Sequence, residues 1–208
     1  IVVCGDFHGE FGSVNTFLNK HPEIDTILQC GDFGYWPKYP IRTTLKNKTT
    51  QIFWCDGNHE DHEAIKKIVD SGEIQPVFQN VFYMPRGTVL VLPDFRKVLF
   101  MGGGLSIDKA YRIPGKSWFP EETITQKDIM NLPDDDIDIV ISHTAPTEFN
   151  VIDRHLEFMK DPSRDALSYV FKKYRPKLWY FGHMHLFKQG IYSGCKWTCL
   201  SGINLGQQ

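Results

Sequence analysis

The sequence predicts an α/β sandwich with mixed sheets and helices outside. Three observations carry this. Short apolar runs, often β-branched and bounded by Gly, Pro or Asp, recur at 1–4, 26–30, 51–55, 81–84, 88–92, 98–101, 137–142, 178–181, 186–192 and 197–200. That is the pattern of strands buried on both faces. Helical patterning lies between several of them, at 13–20, 61–71, 125–131 and 163–174. Early strands alternate with helices, whereas strands follow one another directly in the middle and at the end, so both parallel and antiparallel pairing are expected.

Each helix has its punctuation. Ser13 reads as the N-cap of the first, and Pro176 stops the last. The helix beginning near Asp61 follows His59 directly, so its N-terminus is expected to face an anion. The 208 residues suit one domain spanning 1–208, with no internal repeat or low-complexity tract. A hydrophobic fraction of 41% and a charged fraction of 23% are ordinary for a soluble protein. A formal charge of −2 argues against a surface that coats nucleic acid, and the basic groups Lys46/Lys48 and Lys172/Lys173/Arg175/Lys177 read as solvated faces. No apolar run approaches the roughly 20 residues of a membrane span, so no membrane partner is expected. The chain opens at Ile1 inside an apolar run, and a few preceding residues are expected. Five cysteines without C-x-x-C spacing point to reduced, buried thiols in a cytoplasmic protein.

The polar residues share one grammar. "IVVCGDFHG", "TILQCGDFG", "QIFWCDGNHE", "DIVISHTAP" and "LWYFGHMHL" are each an apolar strand followed by a residue able to bind metal. Ligand sites in open α/β sheets form outside the carboxyl ends of strands. Asp6, His8, Asp32, Asn58, His59, His143, His183 and His185 are therefore expected on one rim. A lone histidine after a strand is more often a core residue than a ligand; five segments with the same order form the signal. His21, His62 and His155 stand in helix or loop contexts and read as surface residues. Asp6/His8 and His183/His185 are spaced i, i+2, which in extended backbone projects both side chains one way. Carboxylate, imidazole and amide oxygen suit borderline divalent metals, and the set exceeds what one tetrahedral ion needs. Two metals sharing a carboxylate are the economical solution.

These blocks, Asp6-Phe7-His8, Gly31-Asp32, Gly57-Asn58-His59-Glu60, His143 and Gly182-His183-Met184-His185, occur in an order that resembles the calcineurin-like metallophosphoesterase family. They span nearly the whole chain. The resemblance implies a four-layer α-β-β-α sandwich, two mixed β-sheets flanked by helices. It implies two divalent ions, with manganese preferred among manganese, iron, zinc, cobalt and nickel. Asp6, His8 and His185 then hold one ion, Asn58, His143 and His183 the other, and Asp32 bridges them. His59 sits by the substrate phosphate and protonates the leaving oxygen, and a bridging hydroxide is the nucleophile. The expected substrate is a phosphodiester or phosphomonoester, a nucleotide among the options.

The sequence also departs from relatives of this kind. The protein Ser/Thr phosphatases of the superfamily carry Asp-Arg-Gly after the second block and an Arg before the third. Here Phe33-Gly34-Tyr35-Trp36 and Cys55-Asp56 stand there, so both phosphate-gripping arginines are missing. Two divalent cations, two carboxylates and one hydroxide leave a single positive charge, which matches a diester. Diesters are therefore the expected class. Lys109 and Arg112, in the glycine-rich stretch after residue 101, are the candidate substrate contacts. Tyr35, Trp36 and Tyr39 are expected to pack near the rim rather than stack a nucleobase. A nuclease on DNA or RNA, a protein phosphatase and a non-catalytic, partner-binding scaffold are the alternatives.

Overall fold

The computed structural model describes residues 1–39, 44–74, 76–151 and 160–203. One sheet has the order β1-β2-β3-β5-β4, from β1 (Val2–Cys4), β2 (Thr26–Gln29), β3 (Gln51–Trp54), β4 (Pro76–Phe78) and β5 (Val81–Tyr83). The other has the order β10-β11-β9-β8-β7-β6. Its strands are β6 (Val89–Val91), β7 (Lys97–Met101), β8 (Ile139–Ser142), β9 (Leu178–Phe181), β10 (Lys188–Tyr192) and β11 (Cys195–Cys199). Both sheets are mixed, with parallel neighbours inside and an antiparallel strand at the edge: β4 in the first, β6 and β10 in the second.

The layers follow from period-2 alternation. Val98 and Phe100 of β7, Ile139 and Ile141 of β8, and Leu28 of β2 share one cluster between the sheets. Leu99, Met101 and Val140 alternate with them and pack outward with Leu167, Val170 and Phe171 of α4 (Pro162–Tyr174). On the far side, Ile27 and Ile52 pack with Phe11, Val14 and Leu18 of α1 (Phe11–Lys20) and Ile65 of α2 (His62–Ser71). This is the expected four-layer sandwich. Strands with both faces covered need no polar alternation, which is why their sequences read as continuous apolar runs. Each fully buried Leu, Ile, Val or Phe contributes about 1.5–3 kcal/mol.

The structure corrects some punctuation. Helix α1 starts at Phe11 behind Glu10, so Ser13 lies inside the helix and is not its N-cap. Burying Phe11 against Phe33, with ring centroids 5.1 Å apart, extends the apolar face by a turn. At α2 the carboxylate of Asp61 caps Ala64 N. That helix end therefore meets its own anion, not a substrate's. Thr125 and Asp128 form a reciprocal capping box on α3 (Gln126–Met130). Strand β4 was not expected; it is an irregular edge strand opening on Pro76, a position that tolerates the missing N–H. Among the described residues, no helix is long and apolar enough to cross a membrane.

Candidate active site

Parallel strands β1, β2 and β3 of one sheet and β7, β8 and β9 of the other send their carboxyl ends to the same rim. The loop after β1 is stitched to the loop after β2: Phe7 N and His8 N both donate to Asp32 O, at 2.9 and 2.7 Å. The Gln29 side chain at the end of β2 donates to Gly5 O (3.1 Å) and accepts from Gly31 N (3.0 Å), fixing both turns from beneath. Glu60, fully buried, accepts from Gly34 N and Gly57 N and ties the second loop to the third. Burial first, then the neighbouring Asp32 and Asp56, raises its carboxyl well above the usual range. Close approach is enforced by glycine where a side chain has no room. A Cβ on Gly182 would overlap the Asp6 carboxylate, and one on Gly104 would lie 3.0 Å from His143 Cδ2.

Two groups of side chains result. In the first, Asp6, His8, Asp32 and His185 each offer one ligand atom, all within 4.8 Å of one another. His185 Nε2 is 3.1 Å from Asp6 Oδ2 and 3.3 Å from His8 Nε2. In the second, His143 Nε2 is 2.9 Å from Asn58 Oδ1, and the His143 and His183 rings stack edge-on at 4.7 Å. Asp32 belongs to both: Oδ2 is 3.7 Å from His8 Nε2 and Oδ1 is 3.4 Å from His143 Nε2.

His8, Asp32, His183 and His185 all have positive φ, from 48° to 65°. Such backbone costs non-glycine residues of order 1–3 kcal/mol each and gathers at functional sites. It also corrects the extended-backbone expectation. The strand ends at Phe181, and the left-handed turn sends His183 and His185 to different groups instead of one side. Only Asp6 and His8 converge.

The charges are interlocked. Asp6 and Asp32 are 0% and 1% exposed. For Asp32, burial pulls the carboxyl up, but His143, His59, His8 and His183 outweigh it and hold it at about 2. Burial would lower the His143 imidazole, yet Asp32 and Asp6 raise it above the ordinary 6.5. Burial, then His143, drives His183 down to about 3. The hydrogen bond to Asp6 raises His185.

The donor set fits a divalent ion. His143 Nδ1 faces the carbonyl of Cys30 at 2.9 Å, which can only accept, so the proton sits on Nδ1. Nε2 then meets Asn58 Oδ1 and Asp32 Oδ1, two more acceptors. Three lone pairs converging in a buried place call for a cation, and a metal-bound imidazole characteristically donates its other nitrogen to a carbonyl in this way.

His59 lies beside this rim. Its N donates to Asp32 Oδ1 at 2.8 Å, its carbonyl accepts from Trp36 Nε1 at 2.8 Å, and its ring centroid is 5.2 Å from that of His8. Trp36 also packs against Phe119 and Tyr39, the packing role expected of it. Arg112 Nη2 is 2.8 Å from His59 Nε2, while Nε pairs with Asp108 at 2.8 Å. Burial, and secondarily Arg112, lowers the His59 imidazole despite Asp32. Lys109 stands exposed in a short 3-10 turn, and among the described residues no hydrogen bond or ion pair of its side chain joins it to the site.

The chain belongs to the calcineurin-like phosphoesterase family. The family model for calcineurin-like phosphoesterases matches residues 1–187, which take in every motif block. The family is metal-dependent, and the acid–imidazole group described above is where this member could hold a metal. Among curated proteins, none matches. Among solved structures, the phosphopantetheinyl hydrolase of Mycobacterium tuberculosis is 12% identical, with 98% of this chain and 90% of that one covered and a TM-score of 0.52. A conserved uncharacterized protein of Streptococcus pneumoniae TIGR4, a predicted phosphoesterase, is 13% identical over 97% of this chain and 72% of its own, with a TM-score of 0.41. At 12% identity the likeness to the hydrolase concerns the fold alone.

Several residues of this phosphoesterase lie where the sequence did not lead. His62, expected on the surface, is 3% exposed and contacts Gly57 O through Nε2 at 3.0 Å. His21 is half-exposed beside Glu23, as expected; His155 lies outside the described residues. Asp56, standing where a phosphate-binding Arg occurs in the Ser/Thr phosphatases, is buried and paired with Arg86 at 2.6 Å. Arg86 also donates to the carbonyls of Glu121, Glu122 and Thr123. Gln29, Arg86, Ser106 and Glu122 were missed. Gln29 and Ser106 stand between apolar residues, which makes a polar residue conspicuous; Arg86, between Pro85 and Gly87, and Glu122, between Glu121 and Thr123, carry no such signal.

Proposed function

We propose that this phosphoesterase works with two divalent ions, one held by Asp6, His8 and His185, the other by Asn58, His143 and His183, with Asp32 bridging. The observation that carries this reading is Asp32, whose two oxygens address the two groups separately while four imidazoles hold it ionised. Manganese suits the mixed carboxylate, imidazole and amide set. Such a pair of ions would supply an acidified water and electrostatic stabilisation of the reacting phosphate.

His59 moves the proton. A guanidinium only donates, so His59 Nε2 accepts from Arg112 and the ring's single proton is on Nδ1 in the free protein. An incoming phosphate anion competes for the guanidinium. As Arg112 turns to the phosphate, Nε2 is freed and the imidazole, now beside an anion, takes a second proton from solvent and can pass it to the leaving oxygen. Substrate thereby prepares its own acid.

Charge selects the ester. While His59 is still neutral, two divalent ions, two carboxylates and a hydroxide leave one positive charge. Arg112 adds little net charge because Asp108 pairs with it. A diester monoanion balances that remainder, whereas a monoester dianion would want further cationic donors. The test is kcat/KM with Mn²⁺ near pH ~7.5 for bis-(4-nitrophenyl) phosphate against 4-nitrophenyl phosphate. Higher efficiency on the diester is expected, and clearly higher efficiency on the monoester would overturn the preference.

A further inference from the structure

We infer that Ser106 and Glu122 are positioning residues that set which end of the Asn58 amide faces the metal centre. The inference rests on the proposed role of Asn58 as a ligand. An amide's oxygen and nitrogen are nearly the same size, so packing alone cannot choose between them. The wrong choice presents an NH₂ group, with its partial positive charge, where a cation should sit.

The hydrogen bonds make the choice. Glu122 is 0% exposed, Ser106 1% and Asn58 5%. Ser106 N donates to Glu122 Oε1 and Ser106 Oγ to Glu122 Oε2, both at 2.7 Å. The carboxylate can only accept, so the serine's one hydroxyl proton is committed to it. What Ser106 Oγ offers Asn58, 3.1 Å away, is a lone pair. The facing atom must be Nδ2, and Oδ1 is left pointing at His143 Nε2, 2.9 Å away. The relay runs Glu122, Ser106, Asn58, and its polarity originates at a buried carboxylate.

The relay's frame is rigid. Gly103 N donates to Asp56 O and Gly104 N to Glu122 O, while Arg86 grips the carbonyls of Glu121 and Glu122. This segment follows β7 and lies outside all five motif blocks. It joins the second sheet to a ligand carried by the first.

Reversing the relay tests it. In Glu122→Gln, the Ser106 N–H still needs an acceptor and keeps the amide oxygen, so the new NH₂ donates to Ser106 Oγ. The hydroxyl must then donate onward, which selects Asn58 Oδ1 and turns Nδ2 toward His143. Mn²⁺ binding is followed by isothermal titration calorimetry, with circular dichroism melting of the metal-free proteins as the fold control. Wild type should bind two Mn²⁺; fewer would sink the two-metal reading itself, before any variant is considered. Glu122→Gln should weaken one of the two by about 10–100-fold. Asn58→Asp carries oxygens at both ends and so tolerates the reversed relay. Its added charge raises affinity in any background, so the signature is the difference: Asn58→Asp should gain at least tenfold more in Glu122→Gln than in wild type. If Glu122→Gln does not fold, Ser106→Ala takes its place, with a smaller loss expected and the same larger gain from Asn58→Asp. Wild-type affinity in the folded relay variant, or an equal gain from Asn58→Asp in both backgrounds, would overturn the inference.

Discussion

The two side-chain groups of the candidate metal site differ in how far water reaches their members. The His8 and His185 side chains are 28% and 43% exposed, whereas His143 is 0% and Asn58 5% exposed. In the open group the side chains of His185, His8 and Asp6 lean on one another, and Asp6 also accepts from His183 N. The buried half is oriented from outside, His143 by the Cys30 carbonyl and Asn58 by Ser106. An open ligand that is lost can be replaced by water. A buried one leaves its partners unsatisfied, at about 1–3 kcal/mol per group. The difference also divides the charge in the metal-free protein: His143 is raised by the carboxylates and, once charged, helps push His183 to about 3, so the buried group carries one imidazolium at most near neutrality.

The largest effect should come from the residue common to both halves. Asp32→Asn removes the shared charge, and turnover should vanish with at least one metal position empty by elemental analysis. Two metals retained per chain with near-normal turnover would remove Asp32 from the bridging role. His59, which belongs to neither half, comes next. His59→Asn should keep both metals yet lose about 10²–10⁴-fold on alkyl esters and far less on nitrophenyl esters, which need little protonation. Equal losses would limit His59 to holding the phosphate. Its partner sharpens the point: Arg112→Ala should move the His59 inflection in the pH profile of kcat/KM upward, because the cation that helps lower it is gone.

The halves themselves are compared by His143→Ala and His185→Ala in metal-free protein. Chemical denaturation should find the first less stable by about 1–3 kcal/mol and the second within about 0.5 kcal/mol of wild type. Equal costs would erase the distinction between buried and open. A further effect is in pH. His183 has a folded value near 3 against an ordinary 6.5, so between these the unfolded chain binds the extra proton. Stability of the metal-free protein should therefore fall as pH drops through that window, and His183→Asn should flatten the slope seen in melting temperature. An unchanged slope would mean that His183 titrates normally.

The fold was legible, and so was the gathering of the candidate donors at one rim, because both rest on local chemistry. Strands covered on both faces are apolar without interruption, and each donor stands just past such a strand, as at Asp32 and His143. What was not legible depends on distant partners or on backbone paths. Spacing alone put His183 and His185 on one side and only the resemblance parted them; the physical cause is left-handed turns that non-glycine residues rarely adopt. Ser106 reaches Asn58 across 48 residues and Arg112 reaches His59 across 53, distances at which periodicity says nothing. Ser13 looked like a cap because cap chemistry is local, but burial of Phe11 decided where the helix begins.

The central claim is that Asp32 stands between two ions. A crystal structure of the protein grown with Mn²⁺, with anomalous scattering measured at the manganese edge, tests it most directly. Two peaks about 3.5–4 Å apart are predicted, one among Asp6, His8 and His185, the other among Asn58, His143 and His183, each touched by one oxygen of Asp32. A single peak, or two peaks of which Asp32 touches only one, would contradict the account.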